Sequence, residues 1–548
     1  VTMRRSPGRL AATAVLALVC ALGVASCGAF SKPLDTGAAA LLDSFATAME
    51  DQDALAAAAL TSAPGQAEGS LAASFTGMGA QKVNVDVERA EEYTDGTATF
   101  ELTTTWVLGD DRELKTETSG SARRLSLGWR IQWQPEVLAD NMPTGGSLRN
   151  LRTDARPAPV VQDRFGKNML TLQTINEIVL DPAGTPDVNS SIASLATIIE
   201  PLAQLVTPSV IRDQLAAAEN KPVTVVSVRD SDMVALAGDP KSVPGVSVKP
   251  VPQLVLLDRR IASPVLDGVH DYWQAIRDAT SGWSAQMVAP GVRPVQLAGE
   301  QGPAGPNVGT TIDQVTQLDA LDAVVEVAQP ASILVLDAKT GVIRASMRND
   351  AAAEQDITID KDYTPGSTLE PVATVINQLA GPDDARAAQL LAQLGLDVDF
   401  TIPGIRPSGP QGGPVAEPVT FRPEDLKVSA LNMGALGVAI ARTNSIAPSI
   451  ISGQAGRVEG GELGPVDKKV LATVNGAMKE TATKGDASDL TNAPGLRALV
   501  GTNGPQGPGW FVGIVGGRVV VVYAEGERSG SAALAVAQRF FTPRAHPQ

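Results

Sequence analysis

Tyr363-Thr-Pro-Gly-Ser-Thr-Leu-Glu370, followed by Pro371 and the apolar-rich run Val372 to Leu379, is the stretch on which the reading of this chain turns. A Pro-Gly turn delivers Ser367 to the start of a predicted helix, where unpaired backbone N–H groups and the positive end of the helix dipole lie. Acyl-transfer enzymes place nucleophiles in such positions. Ser367-x-x-Glu370 is also the spacing of a capping box, in which the serine only closes the helix end.

The wording around Ser367 separates the two readings. Tyr-x-Pro-Gly-Ser-Thr-x-Lys-Pro is the active-serine segment of the penicillin-binding transpeptidases, and residues 363–371 resemble it at every fixed position but one. Glu370 stands where that family has the lysine that activates the serine. The resemblance implies a Ser-x-x-Lys, a Ser-x-Asn and a Lys-Thr-Gly motif. A helical turn brings residue i+3 beside residue i, so a lysine there reaches the hydroxyl and a desolvated amine takes its proton. A carboxylate at Glu370 has the wrong charge and basicity unless burial raises its pKa. Losing a positioned base costs on the order of 10²–10⁴ in rate.

The second motif has no counterpart. Asn377 to Ala385 runs almost directly into Ala387 to Leu396, which resembles the family helix after Ser-x-Asn, so that segment reads as deleted. The literal Lys339-Thr340-Gly341 precedes Ser367 and sits in an Asp-x-x-Thr-Gly turn signal. The positional counterpart of the family strand is Leu499-Val500-Gly501-Thr502, ahead of Trp510-Phe-Val-Gly513. Gly501 and Thr502 remain, while Leu499 replaces the cation that would hold a substrate carboxylate. The site residues expected from the resemblance are therefore Ser367 as a vestigial nucleophile position, Glu370 in place of the base, and Leu499, Gly501 and Thr502 as a remnant strand.

Outward from that stretch, the 548 residues allow several domains. A hydrophobic content of 43% with 19% charged residues describes a globular chain. The net charge of −16 without a basic patch argues against nucleic acid. The two histidines, His270 and His546, make a His-based triad or zinc site a poor expectation, and neither cofactor nor metal is expected. Arg4, Arg5 and Arg9 precede the apolar run Leu10 to Val24, which ends in a bacterial lipobox-like Val24-Ala-Ser-Cys27-Gly28. That pattern implies a signal peptide over 1–26, a diacylglyceryl group on Cys27, and attachment to the outer face of a bacterial cell membrane.

The expected architecture is α+β and multidomain. After a tether (27–36), residues 37–141 show helical patterns and then alternating strand patterns. They close on Trp129-Arg-Ile-Gln-Trp133, similar to the end of the NTF2-like extension of methicillin-resistance-type class B penicillin-binding proteins. Trp129 and Trp133 are expected to pack into the core. Residues 142–294 resemble that family's pedestal or dimerisation domain through Asp163-Arg164 and Gly166, and 295–310 reads as a Gly/Pro linker. Residues 311–548 resemble a truncated serine transpeptidase or β-lactamase-like domain. The resulting expectation is a catalytically inactive pseudo-transpeptidase that scaffolds or regulates peptidoglycan synthesis. Its partners would be divisome or elongation proteins, or peptidoglycan itself. The alternatives are an active D,D-transpeptidase or carboxypeptidase with Ser367 as nucleophile and a buried Glu370 as base, or a ligand- or partner-binding NTF2-like module.

Overall fold

The computed structural model describes residues 37–109, 111–407, 426–502, 507 and 509–542. The signal-like segment, the lipobox and Cys27 lie outside the described residues. No helix among the described residues is long and apolar enough to cross a membrane. The chain divides into two compact units, one of residues up to 151 with 284–299, the other of 152–283 with 300 onward.

The first unit begins with α1 (Ala38–Glu50), α2 (Ala54–Ala59) and α3 (Pro64–Met78). An antiparallel meander follows: β1 (Lys82–Glu92), β2 (Thr97–Gly109), β3 (Arg112–Leu125) and β4 (Gly128–Ile131), paired in chain order. Apolar residues of α1 recur at helical spacing, so Leu41, Leu42, Phe45 and Met49 form one buried stripe. On β2 the alternation buries Phe100, Leu102, Thr104 and Trp106 on the same side. Phe45, Phe100, Trp106 and Leu114 are buried essentially completely, and the Phe75 and Trp106 rings lie 5.7 Å apart. The Phe100 ring lies over Gly120, where a Cβ would come within 2.3 Å of it. The packed residue of the closing strand is Ile131, fully buried, while Trp129 and Trp133 are only half-buried. β4 ends at Ile131, which exchanges backbone bonds with Leu60 and Ser62 and takes the buried place expected of the tryptophans.

In the second unit, β5 (Asn168–Leu180) pairs with β6 (Val223–Arg229) on one side and β7 (Val246–Leu256) on the other. Helices α4 (Val188–Ile199) and α5 (Pro208–Ala217) cover this sheet through Ile178, Leu180, Ile192, Leu195 and Ile211. Residues 295–310, read as a linker, carry two short strands, Val295–Glu300, all but its last residue in the first unit, and Val308–Gly309 in the second. Val161, Met169, Val265 and Trp273 share a continuous core with residues beyond 311. His270 is half-exposed beside Trp273.

The later part of this unit holds α6 (Gln314–Val325), then the hairpin β8 (Ala331–Asp337) and β9 (Ile343–Arg348). Next come α7 (Glu370–Ala380), α8 (Asp384–Ala392), α9 (Ala430–Arg442) and α10 (Lys468–Thr483). The chain closes with β10 (Arg497–Thr502), β11 (Gly509–Val515), β12 (Arg518–Ala524) and α11 (Ser529–Phe540). The five strands form one antiparallel sheet in the order β9-β8-β12-β11-β10. Period-two alternation sorts their side chains between two cores. Leu334, Leu336, Val512, Val519 and Val521 face the α7 and α9 side. Ile333, Val335, Phe511, Val520 and Val522 face α6 and α11. A sheet with helices on both faces buries both sides, which explains the nearly continuous apolar runs at 331–336 and 519–522.

Candidate active site

Ser367 lies in a 3-10 turn, Gly366–Leu369, immediately before α7. Gly366 takes a positive φ of 55°, which a side chain would resist, so the Pro-Gly pair makes the turn possible. The N-cap of α7 is Leu369, with no side-chain bond closing it, so the capping-box reading of Ser367 and Glu370 does not hold. The serine hydroxyl faces β10 instead. Its Oγ donates to the Thr502 carbonyl at 3.1 Å and accepts from the Thr502 N–H at 3.1 Å. This reciprocal pair continues the edge of the sheet onto the turn.

The close approach is built into Gly501. A Cβ there would lie 2.3 Å from the Thr368 nitrogen, 2.5 Å from Thr368 Oγ1 and 2.7 Å from Ser367 Oγ. The remnant strand therefore sits against the serine turn with no gap for a substrate between Gly501 and Thr368. Leu499, on the same strand face as Gly501, is 2% exposed and belongs to the core shared with Val372, Val470 and Val474. Where the resemblance implies a cation facing a cleft, this chain has a packed apolar residue. Glu370 is exposed at the first turn of α7, where a carboxylate complements the helix dipole. A buried, basic Glu370, which the active-enzyme alternative requires, is not what the fold provides.

Tyr363 explains why the rest of the motif survives. It exchanges two 2.9 Å backbone bonds with Val428, and its ring centroid lies 4.1 Å from that of Tyr523. Trp510 packs on Tyr523 at 4.5 Å and donates Nε1–H to the Thr364 carbonyl at 3.1 Å. Burial pushes the pKa of both tyrosines upward, most strongly for Tyr523, which also bonds Glu525, so neither phenol is a base at neutral pH. The three rings fasten the 363–370 segment to β11 and β12. Tyr523 was not singled out in the sequence, although it closes the strand Arg518 to Tyr523 and alternation puts it on one face with Val519 and Val521. Lys427 Nζ bonds Thr364 Oγ1 at 2.7 Å, three residues before the serine; nothing in the sequence pattern pointed to it.

Residues 381–383 alone connect α7 to α8, so no element intervenes where Ser-x-Asn would stand. Ser429 and Asn432 bond each other as the capping box of α9, and the Asn432 amide also holds the carbonyls of Gly395 and Val398. Lys339-Thr340-Gly341 is the turn of the β8–β9 hairpin. Asp337 Oδ1 accepts from the Lys339 and Thr340 N–H groups and from Thr340 Oγ1 at 2.8–3.1 Å, and Gly341 has φ of 74°.

Residues 37–145 match the family described as the NTF2-like N-terminal transpeptidase domain. The chain has a class B penicillin-binding-protein-like N-terminus. Three helices followed by a four-stranded meander are what the first unit presents over that range. No curated protein matches the chain.

Proposed function

We propose that this chain is a penicillin-binding-protein-like pseudo-transpeptidase of the bacterial cell surface, held at the membrane through a lipid on Cys27 and acting by contact in peptidoglycan biogenesis. The observation that carries the reading is the reciprocal bond between the Ser367 hydroxyl and the Thr502 backbone. A hydroxyl engaged in that way must break two hydrogen bonds before it can approach an acyl carbon. Acyl transfer also needs a base and an anion-binding cation. Glu370 is solvated and Leu499 is packed, which supports the loss of both. What remains is a recognisable framework, suited to contact with peptidoglycan-building enzymes or with a peptidoglycan fragment.

Incubating the purified chain with a fluorescent penicillin tests this reading. The expected result is no covalent label and an unchanged intact mass. A mass increment mapped to Ser367 would end the proposal.

A further inference from the structure

A cavity of about 380 Å³ opens at the opposite end of β10 from Thr502. Five residue steps along the strand separate Arg497 from Thr502, roughly 17 Å, so this cavity is apart from the serine turn. It is walled by the β8–β9 turn, the last turn of α9, the start of β10 and the tight turn Val515-Gly-Gly-Arg518 between β11 and β12. Gly516 and Gly517 both have positive φ, 57° and 77°, the requirement of a two-residue hairpin turn, and they leave the wall open beside their backbone.

Three cations line this space: Lys339, Arg442 and Arg497. No acidic residue lines it among the described residues, and none of the three cations forms an ion pair there. Arg497 is half-buried with Nη1 on the Asn475 amide oxygen, and Arg442 Nη1 bonds the Lys339 carbonyl at 3.3 Å. Burial pulls the Arg497 pKa down with no acid to offset it, yet an arginine stays charged at neutral pH. The neighbouring carboxylate, Asp337, is engaged by Arg344 and the Thr340 hydroxyl. In a chain with 60 acidic and 44 basic residues, three cations lining one space without a counter-charge are unbalanced. Like charges held together repel unless an anion joins them.

We infer that this cavity binds a phosphate ester through Lys339, Arg442 and Arg497. A carboxylate is satisfied by a single guanidinium fork, whereas the N–H groups left over on two guanidiniums, together with an ammonium, supply the several donors that the oxygens of a phosphate accept. The volume leaves room for the group that the phosphate carries. That group is either a small soluble one, as in a sugar or glycerol phosphate, or the headgroup of an anionic phospholipid. The inference is independent of whether Ser367 reacts with penicillin.

Titration calorimetry of the full chain with glycerol 3-phosphate, in parallel with co-sedimentation on phosphatidylglycerol and phosphatidylcholine vesicles, tests it. Lys339 is exposed and Arg442 half-exposed, so K339Q and R442Q retain the fold, which circular dichroism verifies. Each is expected to weaken binding about tenfold, the scale of one charge-assisted bond, and the double variant to abolish it. Binding of glycerol 3-phosphate that the double variant loses supports a soluble ester. Retention on phosphatidylglycerol alone, also lost in the double variant, supports the headgroup. Absence of both, binding unaltered in the double variant, or equal binding of succinate would overturn the assignment.

Discussion

Two of this chain's threonine–glycine pairs, at 339–341 and 501–502, invite a reading as the catalytic motif, and only their surroundings tell them apart. At 339–341 the pair sits in a hairpin turn whose Asp337 gathers three donors, and the lysine beside it lines a cavity at the far end of the sheet. At 501–502 the pair ends an edge strand, Gly501 allows the serine turn to approach, and Thr502 holds the serine hydroxyl. The first has the letters of a catalytic motif without its place. The second has the place without its cation. Chemistry follows from place and charge together, so neither stretch does what the motif would do alone.

The sharpest way to break that comparison is to return the missing charge. Leu499→Lys puts an ammonium into a position that is 2% exposed and belongs to the same apolar core as Val372, Val470 and Val474. An unpaired buried charge costs several kcal/mol, about 3–5. The expected outcome is a large fall in the denaturant midpoint of the second unit and still no penicillin labelling. If the variant folds as stably as the parent, position 499 borders open solvent and the strand retains a cleft. Gly501→Ala comes next. Its Cβ would meet the Thr368 nitrogen at 2.3 Å, a backbone atom that cannot rotate away. Overpacking of that kind costs about 1–3 kcal/mol, and the upper end is expected here. Thermal unfolding measures it, and a neutral result would mean that the turn and β10 are not in contact.

Much of this was legible in the sequence. The hairpin 331–346, the strands at 510–513 and 518–523, the closing helix from Ser531 and the short passage from α7 to α8 follow from alternation, turn residues and helix punctuation, which are local signals. The turn nature of Lys339-Thr340-Gly341 was equally local, since Asp337 and Gly341 carry it. What was not legible depended on contacts across many residues. Whether Glu370 is buried depends on what covers the start of α7, and whether Ser367 caps a helix or faces Thr502 is decided by a partner 135 residues away. The half-exposure of Trp129 and Trp133 has the same origin. Their alternation marks a face, but Ile131 between them on that face takes the buried place. The three-cation cavity draws on residues 339, 442 and 497, which no spacing rule connects.

A pH titration sharpens the turn side of the comparison. Burial would raise the Asp337 carboxyl, but the Arg344 guanidinium, the Thr340 hydroxyl and the N–H groups of Thr340 and Lys339 outweigh it and lower its pKa from 3.8 to about 2. A depressed folded-state value means that the unfolded chain binds the proton first as pH falls. The stabilisation from Asp337 is therefore complete above about pH 4 and is lost as pH drops toward 2. Asp337→Asn is expected to be destabilised at pH 7 by about 1 kcal/mol, the scale of a lost charge-assisted bond on a partly exposed group. The gap to the parent should close between pH 4 and 2 in urea titrations. A gap that stays constant with pH would show that the carboxylate is not what organises the turn.

The smallest effect bears on the serine itself. Ser367→Ala removes one bond to the Thr502 N–H and one to its carbonyl, and leaves the aromatic packing of Tyr363, Trp510 and Tyr523 in place. Intramolecular hydrogen bonds contribute about 0.5–1.5 kcal/mol net, so a loss near 1 kcal/mol in chemical denaturation is expected. The size of the loss reports directly on how the hydroxyl is engaged. A hydroxyl free in a cleft is solvated in both the folded and unfolded chain, and its removal would change stability hardly at all. A hydroxyl fastened to the edge of β10 has exchanged water for the backbone, and only then does its deletion weaken the fold. A measurable destabilisation without any change in penicillin labelling thus identifies Ser367 as part of the framework, and the reverse pair of results identifies it as a nucleophile.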